Sequence, residues 1–136
     1  MEAVKQFGTA LADAAEHFKG DREVVLAAVR QNACALREAS EQLQNDREVV
    51  TAAVTQNGNA IDSASDELKN DREIVLIAVK QDGEAIMHVV DEYRDDKEVM
   101  LEAVKSYGYA LQYASEELQN DRQVVLTAVK QDGGVL

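Results

Sequence analysis

Hydrophobic and polar positions recur along this chain with a period of 25 residues. The phrase DREVVLAAVRQN at residues 21–32 returns as DREVVTAAVTQN, DREIVLIAVKQD, DKEVMLEAVKSY and DRQVVLTAVKQD, without any insertion. Within one copy, Val49, Val50, Ala53 and Val54 are spaced as on one face of a helix. A fixed period of this size is typical of a small unit stacked on copies of itself.

A second helix is predicted in each unit. Ala60, Ile61, Ala64, Ser65 and Leu68 follow helical spacing, and their small side chains favour close approach of helix axes. We therefore predict an all-α fold, an α-solenoid of short helix–turn–helix repeats with a 25-residue period. A single array is expected over residues 1–136, with a partial unit 1–20, full units 21–45, 46–70, 71–95 and 96–120, and a partial unit 121–136.

Cap residues and glycines mark the ends of the predicted helices. The first helix is capped by either Asn45 or Asp46, and Glu48 stands at capping-box distance from Asn45. Thr9 or Asn59 is expected to cap the second helix. The aspartates that open the units are predicted to be structural: Asp21, Asp46, Asp71, Asp96 and Asp121. Recurring glycines are expected in a left-handed turn after the first helix, with Ala33 strained at the same position: Gly8, Gly58, Gly83, Gly108 and Gly133.

Charge and composition narrow the classes of partner. The formal net charge is -12, from 26 acidic and 14 basic side chains. This balance argues against nucleic acid and against an anionic membrane surface, and it is compatible with basic protein partners. No apolar run reaches the roughly 18 residues of a membrane span, so direct membrane insertion is not expected. The single cysteine, Cys34, favours a reducing, intracellular compartment, although the localisation stays open.

The phrase DREVVLAAVRQN, together with ALQYASEELQND at residues 110–121, resembles an uncharacterised family of tandem repeats. That family is built on units of the form DREVVLxAVKxxGxALxYASEELxxD, and the resemblance covers essentially the whole chain. Local departures are Thr51, Lys97, Gln123 and the segment MHVVDEYRD at residues 87–95. The resemblance implies a repeat array. It implies no activity, cofactor or catalytic residue.

Recurring charges provide two candidate surfaces. Acidic residues recur on the second helix and are expected to form an exposed ridge: Glu41, Asp66, Glu67, Asp91, Glu92, Glu116 and Glu117. This ridge is either a docking face for a basic segment or a solvated face that keeps the array soluble. The basic residue after each opening aspartate is expected to bridge to a carboxylate of an adjacent unit: Arg22, Arg47, Arg72, Lys97 and Arg122. An anion site at these helix N-termini is the alternative.

The repeats differ most late in the chain, where aromatic residues cluster. Tyr107 and Tyr109 flank Gly108, while His88 and Tyr113 occupy the same repeat position, with Met87 beside His88. These side chains are candidates for a partner-binding patch. The alternative is sequence drift at outer positions that the fold does not constrain. Tyr93 replaces a core leucine and is expected to pack.

Catalysis is not expected from this sequence. His17 and His88 lie about three units apart, and Cys34 has no histidine in its own unit, so no metal site, cofactor site or catalytic dyad is predicted. The chain is interpreted as a non-enzymatic structural or interaction module that presents a repeat surface to a protein partner within a larger assembly. The alternative is a scaffold that holds a small molecule, pigment or cofactor in a groove of the late aromatic residues.

The two ends of the sequence carry one further expectation. Met1 falls halfway along a predicted first helix, and Leu136 falls where a second helix begins. Neither end has the polar outer face that an isolated array needs. The ends are therefore expected to belong to a longer array or to pack end to end on a partner or another copy, with fraying of the terminal half-units as the alternative.

Overall fold

The computed structural model describes residues 16–135 and has the predicted all-α solenoid architecture. Each complete unit contains a ten-residue α-helix, a six-residue 3-10 helix and a four-residue α-helix. The long helices are α1 (Arg22–Gln31), α3 (Arg47–Gln56), α5 (Arg72–Gln81), α7 (Lys97–Ser106) and α9 (Arg122–Gln131). The short α-helices are α2 (Glu41–Gln44), α4 (Asp66–Lys69), α6 (Asp91–Arg94) and α8 (Glu116–Gln119). The 3-10 helices span Glu16–Gly20, Ala33–Glu38, Gly58–Ser63, Gly83–His88, Gly108–Tyr113 and Gly133–Val135.

The core lies between a layer of stacked long helices and a layer of stacked 3-10 helices. On α3, Val49, Val50, Ala53 and Val54 are all fully buried, which confirms the predicted inner face. Burial of each valine side chain contributes roughly 1.5–3 kcal/mol. Helices as short as these are marginal in water by themselves, so their stability derives from the packing of one unit on the next.

The prediction of one continuous second helix is wrong. The chain forms the 3-10 helix Gly58–Ser63, passes through extended backbone at Ala64 and Ser65, and then forms α4. The Ser65 N–H donates to the carbonyl oxygen of Gln44 in the preceding unit, at 2.9 Å, rather than to a carbonyl of its own unit. A hydrogen bond between units thus replaces one within a helix. The apolar positions of the segment still face the core, as predicted.

Aspartate caps the long helices. The side chain of Asp46 accepts from the Val49 N–H at 3.1 Å, so the cap is Asp46 and not Asn45. Glu48 therefore lies one position too early for a capping box. The expected cap Asn59 is also wrong: the 3-10 helix is capped two residues earlier, by Asn57, whose side chain accepts from the Asn59 N–H at 3.0 Å. Thr9 and Gly8 lie outside the described residues.

The prediction that the glycines adopt a left-handed turn is also wrong. None of the described glycines has a positive φ, and the residue before Gly58, Asn57, is extended. Gly58 is instead explained by close packing at its own junction, because a Cβ added there would collide with the carbonyl oxygen of Ala78 in the next unit. Gly108 is packed in the same way, with a Cβ position 2.7 Å from the carbonyl oxygen of Ala128. Ala33 therefore carries no left-handed strain.

No helix among residues 16–135 is long and apolar enough to cross a lipid bilayer.

A candidate protein-binding surface

The 3-10 helices of two consecutive units position the late aromatic residues. Met87 and His88 end the helix Gly83–His88, while Tyr109 and Tyr113 belong to the helix Gly108–Tyr113. These two helices pack against each other along the array. Tyr107 occupies the extended position before the second of them, where Asn57 or Asp82 provides a side-chain cap in other units. Tyr107 provides no such cap, so its ring is free to pack.

Large apolar side chains are exposed mainly in this region. Met87 is 43% exposed, Tyr109 is 40% exposed and Val90 is 37% exposed. Among the described residues, the only other large apolar side chain with comparable exposure is Leu126. Met87, Tyr109 and Val90 fall at positions where the repeats differ from one another, whereas Leu126 occupies a recurring apolar position on the last long helix.

Tyr107 and Tyr109 form a ring contact. Their centroids lie 5.9 Å apart with an interplanar angle of 51°, within the range of favourable aromatic pairs. Burial raises the pKa of the Tyr107 phenol, and the nearby carboxylate of Glu84 raises the pKa further. Tyr107 therefore stays neutral at physiological pH and keeps its hydroxyl proton as a hydrogen-bond donor.

Arg94 links two further predicted residues, Met87 and Tyr113. Its Nη2 donates to the carbonyl oxygen of Met87 at 3.0 Å, and its guanidinium carbon lies 5.9 Å from the ring centroid of Tyr113. This distance is consistent with a cation–π contact. Nη1 lies 3.8 Å from the carboxylate of Asp91, while Nε is buried without a hydrogen-bond partner. The arginine thus holds one side of the surface in place.

Val90 was missed by the sequence analysis. The equivalent serines, Ser40, Ser65 and Ser115, each cap their short helix, whereas Val90 makes no side-chain cap. The Ser65 and Ser115 N–H groups also donate to a carbonyl of the preceding unit, and no corresponding bond is formed by Val90 in the described chain. Instead, the Tyr93 hydroxyl donates to the carbonyl oxygen of Asn70 at 2.7 Å. The replacement of the recurring serine by valine at this repeat position could have identified Val90 from the sequence.

His88 is directed towards the preceding unit. Its Nδ1 lies 3.3 Å from the Asp62 carboxylate, and its side chain is largely covered. The structure therefore connects Tyr107 with Tyr109, and Met87 with Tyr113 through Arg94, while His88 contacts a different unit. Tyr93, expected to pack, is half-buried against the core.

The acidic residues occupy equivalent positions in the short helices. Each is the first or second residue of its helix, and each is exposed: Glu41, Asp66, Glu67, Asp91, Glu92, Glu116 and Glu117. Asp91 approaches Arg94, and Glu67 accepts from the Asn45 side-chain amide at 3.2 Å. Carboxylates at the start of a helix are favoured by the helix dipole, so local stability alone accounts for part of this pattern.

Arginine side chains link consecutive units at the start of the long helices. Arg22 donates to Asp46 at 2.8 Å and to Glu48 at 2.9 Å. Arg47 pairs with Asp71 and Glu73, Arg72 pairs with Asp96 and Glu98, and Lys97 pairs with Asp121. We call this series of ion pairs the charged ladder. It has the geometry that the sequence analysis expected of a bridge between units.

The charged ladder lowers the pKa of the aspartates in it. The hydrogen bond from Arg22 holds the pKa of Asp46 below its usual range, and the hydrogen bond from Arg47 does the same for Asp71. At Asp96, burial opposes the shift, but the Arg72 hydrogen bond keeps the pKa lowered. At Asp121, the backbone N–H of Val124 lowers the pKa, with Lys97 as the next cause. Asp21 caps α1 by accepting from the N–H groups of Glu23 and Val24, and it has no ion pair among residues 16–135.

Shallow grooves lie beside the 3-10 helices in the described part of the chain, and two of them adjoin predicted residues. One, of about 250 Å³, is lined by Asp91, Arg94, Tyr113, Ala114 and Ser115. The other, of about 170 Å³, lies between earlier units beside Cys34 and Asp62. Both are smaller than the roughly 300–1,000 Å³ typical of ligand pockets. The lining of the first includes Tyr113 but not the other aromatic residues that a ligand-holding groove was expected to use.

Within residues 16–135, no group of histidine, cysteine and carboxylate side chains has the geometry of a metal site. Cys34 is exposed and has a free thiol. The side chain of His17 lies outside what the structure describes.

Comparison with known proteins agrees with the repeat architecture. The profile of a family described as Domain of unknown function (DUF4116) matches residues 1–44, 46–94 and 96–136. No curated protein and no solved structure matches the chain. Because the three matched segments together cover nearly all of the sequence, the chain belongs to the DUF4116 family of tandem repeats.

Proposed function

We propose that this chain is a non-enzymatic interaction module that binds a protein partner through the surface around Met87, Val90 and Tyr109. The observation that carries the proposal is their exposure at positions where the repeats differ, while the recurring valines of α3 and α5 are buried. Side chains that stack the units are unavailable to a partner. The variable apolar side chains remain available, and aromatic residues together with methionine are enriched in protein interfaces.

The charges around this surface favour a basic partner segment. Asp91, Glu92, Glu116 and Glu117 lie on the short helices that follow the two 3-10 helices, and all four are exposed. With a net charge of -12 on the whole chain, lysine or arginine side chains on a partner would be attracted during encounter. An apolar segment flanked by basic residues would satisfy both features of the surface. Rigid packing of the units would hold that surface ready within a larger assembly.

Photo-cross-linking followed by a binding measurement tests the proposal. A photoreactive amino acid at position 109 would identify the partner by mass spectrometry in the native source. Binding of that purified partner would then be measured by calorimetry with the double variant Met87→Ser/Tyr109→Ser. We expect at least tenfold weaker binding and an unchanged circular dichroism spectrum.

The repeat supplies a matched control for that double variant. Cys34 and Gln112 occupy the repeat positions of Tyr109 and Met87 in other units, and both are exposed. The variant Cys34→Ser/Gln112→Ser should leave the affinity unchanged. Equal affinities for the two double variants would show that the partner does not bind this surface.

A further inference from the structure

Three repeat positions differ in every complete unit, and they are the positions of Cys34, Arg37 and Glu38. Across the four complete units, residues 21–120, each of these positions holds four different residues, whereas at every other position at least two units agree. Charged, polar, apolar and aromatic side chains all occur at them. The positions that stack the units are repeated, so these three are where the units differ in what they can bind.

The structure places all three positions on the outer side of the 3-10 helices. In the first complete unit, Ala35 and Leu36 are buried, while Cys34 and Arg37 are exposed and Glu38 is half-buried. Residues three apart eclipse in a 3-10 helix, so the first two of these outer side chains lie on one edge. Because neighbouring 3-10 helices pack along the array, the equivalent side chains of successive units form a continuous strip. We call the strip at these three repeat positions the variable row.

A shallow groove shows that consecutive units contribute to one contact surface. It has a volume of about 170 Å³, and its lining includes Cys34 and Arg37 of one unit and Asn59, Asp62 and Ser63 of the next. All five side chains belong to the variable row. A groove smaller than the roughly 300 Å³ of a small-molecule pocket fits single side chains of a segment that crosses the units.

The chemistry of the variable row changes between neighbouring units. Met87 and Tyr109, which are 43% and 40% exposed, form its apolar part. One unit earlier, the same two repeat positions hold the acids Asp62 and Glu84. The Glu84 carboxylate is exposed and has no ion pair among residues 16–135. An acidic pair thus lies one repeat away from an apolar pair.

Neighbouring basic side chains satisfy Asp62 only in part. Lys69 Nζ lies 3.9 Å from its carboxylate and His88 Nδ1 lies 3.3 Å from it, yet the Asp62 side chain is still 63% exposed. An arginine or lysine of a partner can therefore approach Asp62 and Glu84 from solvent, and its charge complements theirs.

The distance between the acidic pair and the apolar pair sets the spacing of the partner residues that fit them. Packed helices lie about 8–10 Å apart, and an extended chain advances about 3.3 Å per residue. Three residues of an extended segment therefore cover about one unit. In an α-helix, residues three apart are separated by only about 4.5 Å along the axis, so a helical segment with this spacing would not reach both pairs.

We propose that the variable row binds an extended segment of another protein that has a basic residue and an apolar residue three positions apart. The basic side chain lies against Asp62 and Glu84, and the apolar side chain lies between Met87 and Tyr109. This inference rests on the proposed function and adds to it the conformation of the partner segment and the spacing of its contact residues.

Peptide selection tests the spacing. The whole chain is used to select from a phage library of random linear peptides of about 12 residues, long enough when extended to cross four units. We expect the enriched peptides to carry arginine or lysine three positions from a large apolar residue. Moving the basic residue by one or two positions in a synthetic copy of the best peptide should weaken binding at least tenfold, as measured by fluorescence anisotropy. Failure to enrich this spacing would overturn the proposal.

A charge reversal shows which side chains recognise the basic residue. The variant Asp62→Lys/Glu84→Lys should bind the selected peptide at least tenfold more weakly, with an unchanged circular dichroism spectrum. A second selection on this variant should favour an acidic residue at the same spacing. The matched control, Glu41→Lys/Asp66→Lys, changes the total charge equally at exposed positions of the short helices. At about 0.15 M salt, where charges are screened beyond about 8 Å, this control should keep the wild-type affinity.

An equal loss of affinity in the two charge variants would show that the peptide responds only to net charge, and it would overturn the proposal.

The same peptides separate this inference from the proposed function. Met87→Ser/Tyr109→Ser should also weaken their binding at least tenfold. If it does, but the peptides share no fixed spacing and tolerate Asp62→Lys/Glu84→Lys, then the extended segment is wrong and the proposed function stands. Peptides that tolerate all four substitutions would contradict both.

Discussion

The two ends of each long helix join the same pair of units by different physical means. At the N-terminal end, the charged ladder uses side chains that stay in water, since the Arg47 side chain is 47% exposed and its partner Glu73 is 77% exposed. At the C-terminal end, buried backbone meets buried backbone: Gly58 lies against the Ala78 carbonyl, and its N–H donates to the Gln81 side chain at 2.8 Å. Exposed ion pairs contribute about 0–1 kcal/mol, whereas overpacking a buried contact costs about 1–3 kcal/mol. We therefore expect the glycine contact to set the spacing between units, and the charged ladder to make only a small further contribution to stability.

The largest expected effect comes from filling the glycine contact. Gly58→Val should lower the free energy of unfolding by about 3 kcal/mol, because its side chain would collide with the Ala78 carbonyl. Urea unfolding followed by circular dichroism measures the change. Gly133→Val is the matched control, since it has the same repeat position but nothing within 4 Å of the added Cβ. Equal losses in the two variants would show that packing against the next unit does not require glycine.

The next effect separates the two roles of a ladder aspartate. Asp71 both caps α5 and accepts from Arg47, so Asp71→Ala should lower the free energy of unfolding by about 1–2 kcal/mol. Asp71→Asn keeps an oxygen for the cap and loses only the charge, so its loss should be about 0.5 kcal/mol. The same urea titrations measure both variants. Identical losses would mean that the ion pair, rather than the cap, provides the stability at this end.

A smaller effect is expected in the pH dependence of the free energy of unfolding. The pKa values of Asp46, Asp71, Asp96 and Asp121 are lowered in the folded chain. Their contribution to stability is therefore complete above the unfolded value near 3.9, and it is lost as the pH falls from there through the lower folded values.

The variant Arg47→Gln isolates one ladder step within this pH dependence. It removes the main cause of the lowered pKa of Asp71, so stability should fall less between pH 5 and pH 2 than in the wild type. Urea midpoints across that range measure the difference. Parallel curves for the two chains would contradict the assigned role of Arg47.

The smallest effect tests the interface in which valine replaces the serine cap. Val90→Ser should raise the free energy of unfolding by about 0.5 kcal/mol, because a hydroxyl can then cap α6. Ser65→Val is the reciprocal change and should lower the free energy of unfolding by about 1 kcal/mol. Hydrogen exchange at α6 and α4, together with urea titration, measures both. A loss of stability in Val90→Ser would indicate that the valine side chain packs favourably where it is.

The sequence predicted the features that depend on periodicity within one unit. The apolar spacing on α3 identified the buried face, and the recurrence of arginine beside acids indicated a bridge between units. The break at Ala64 could not be read in this way, because it depends on a hydrogen bond from Ser65 to Gln44 in the neighbouring unit. Gly58 was predicted at the correct turn but for the wrong reason. Its close contact with the carbonyl of Ala78, 20 residues ahead, accounts for the glycine, and its φ angle does not.

The candidate surface was predictable where its residues are close in sequence. Tyr107 and Tyr109 flank one glycine, and their rings are in contact. Val90 and Arg94 lie within the departure from the repeat at residues 87–95, but neither is aromatic, so the aromatic pattern did not point to them. The link between His88 and Asp62 joins two units, so the register of the stack had to be known first.

The reach of the ladder is uniform, since Arg22, Arg47 and Arg72 each contact an aspartate 24 residues ahead, and this has a consequence for inheritance. Units that offer the same front and back are interchangeable, so unequal crossing-over in the gene could lengthen or shorten the array by whole copies without disturbing any junction. The gain or loss of a single codon inside a copy would misalign both ends of its long helix at once. Selection should therefore tolerate wide variation in copy number and almost none in copy length.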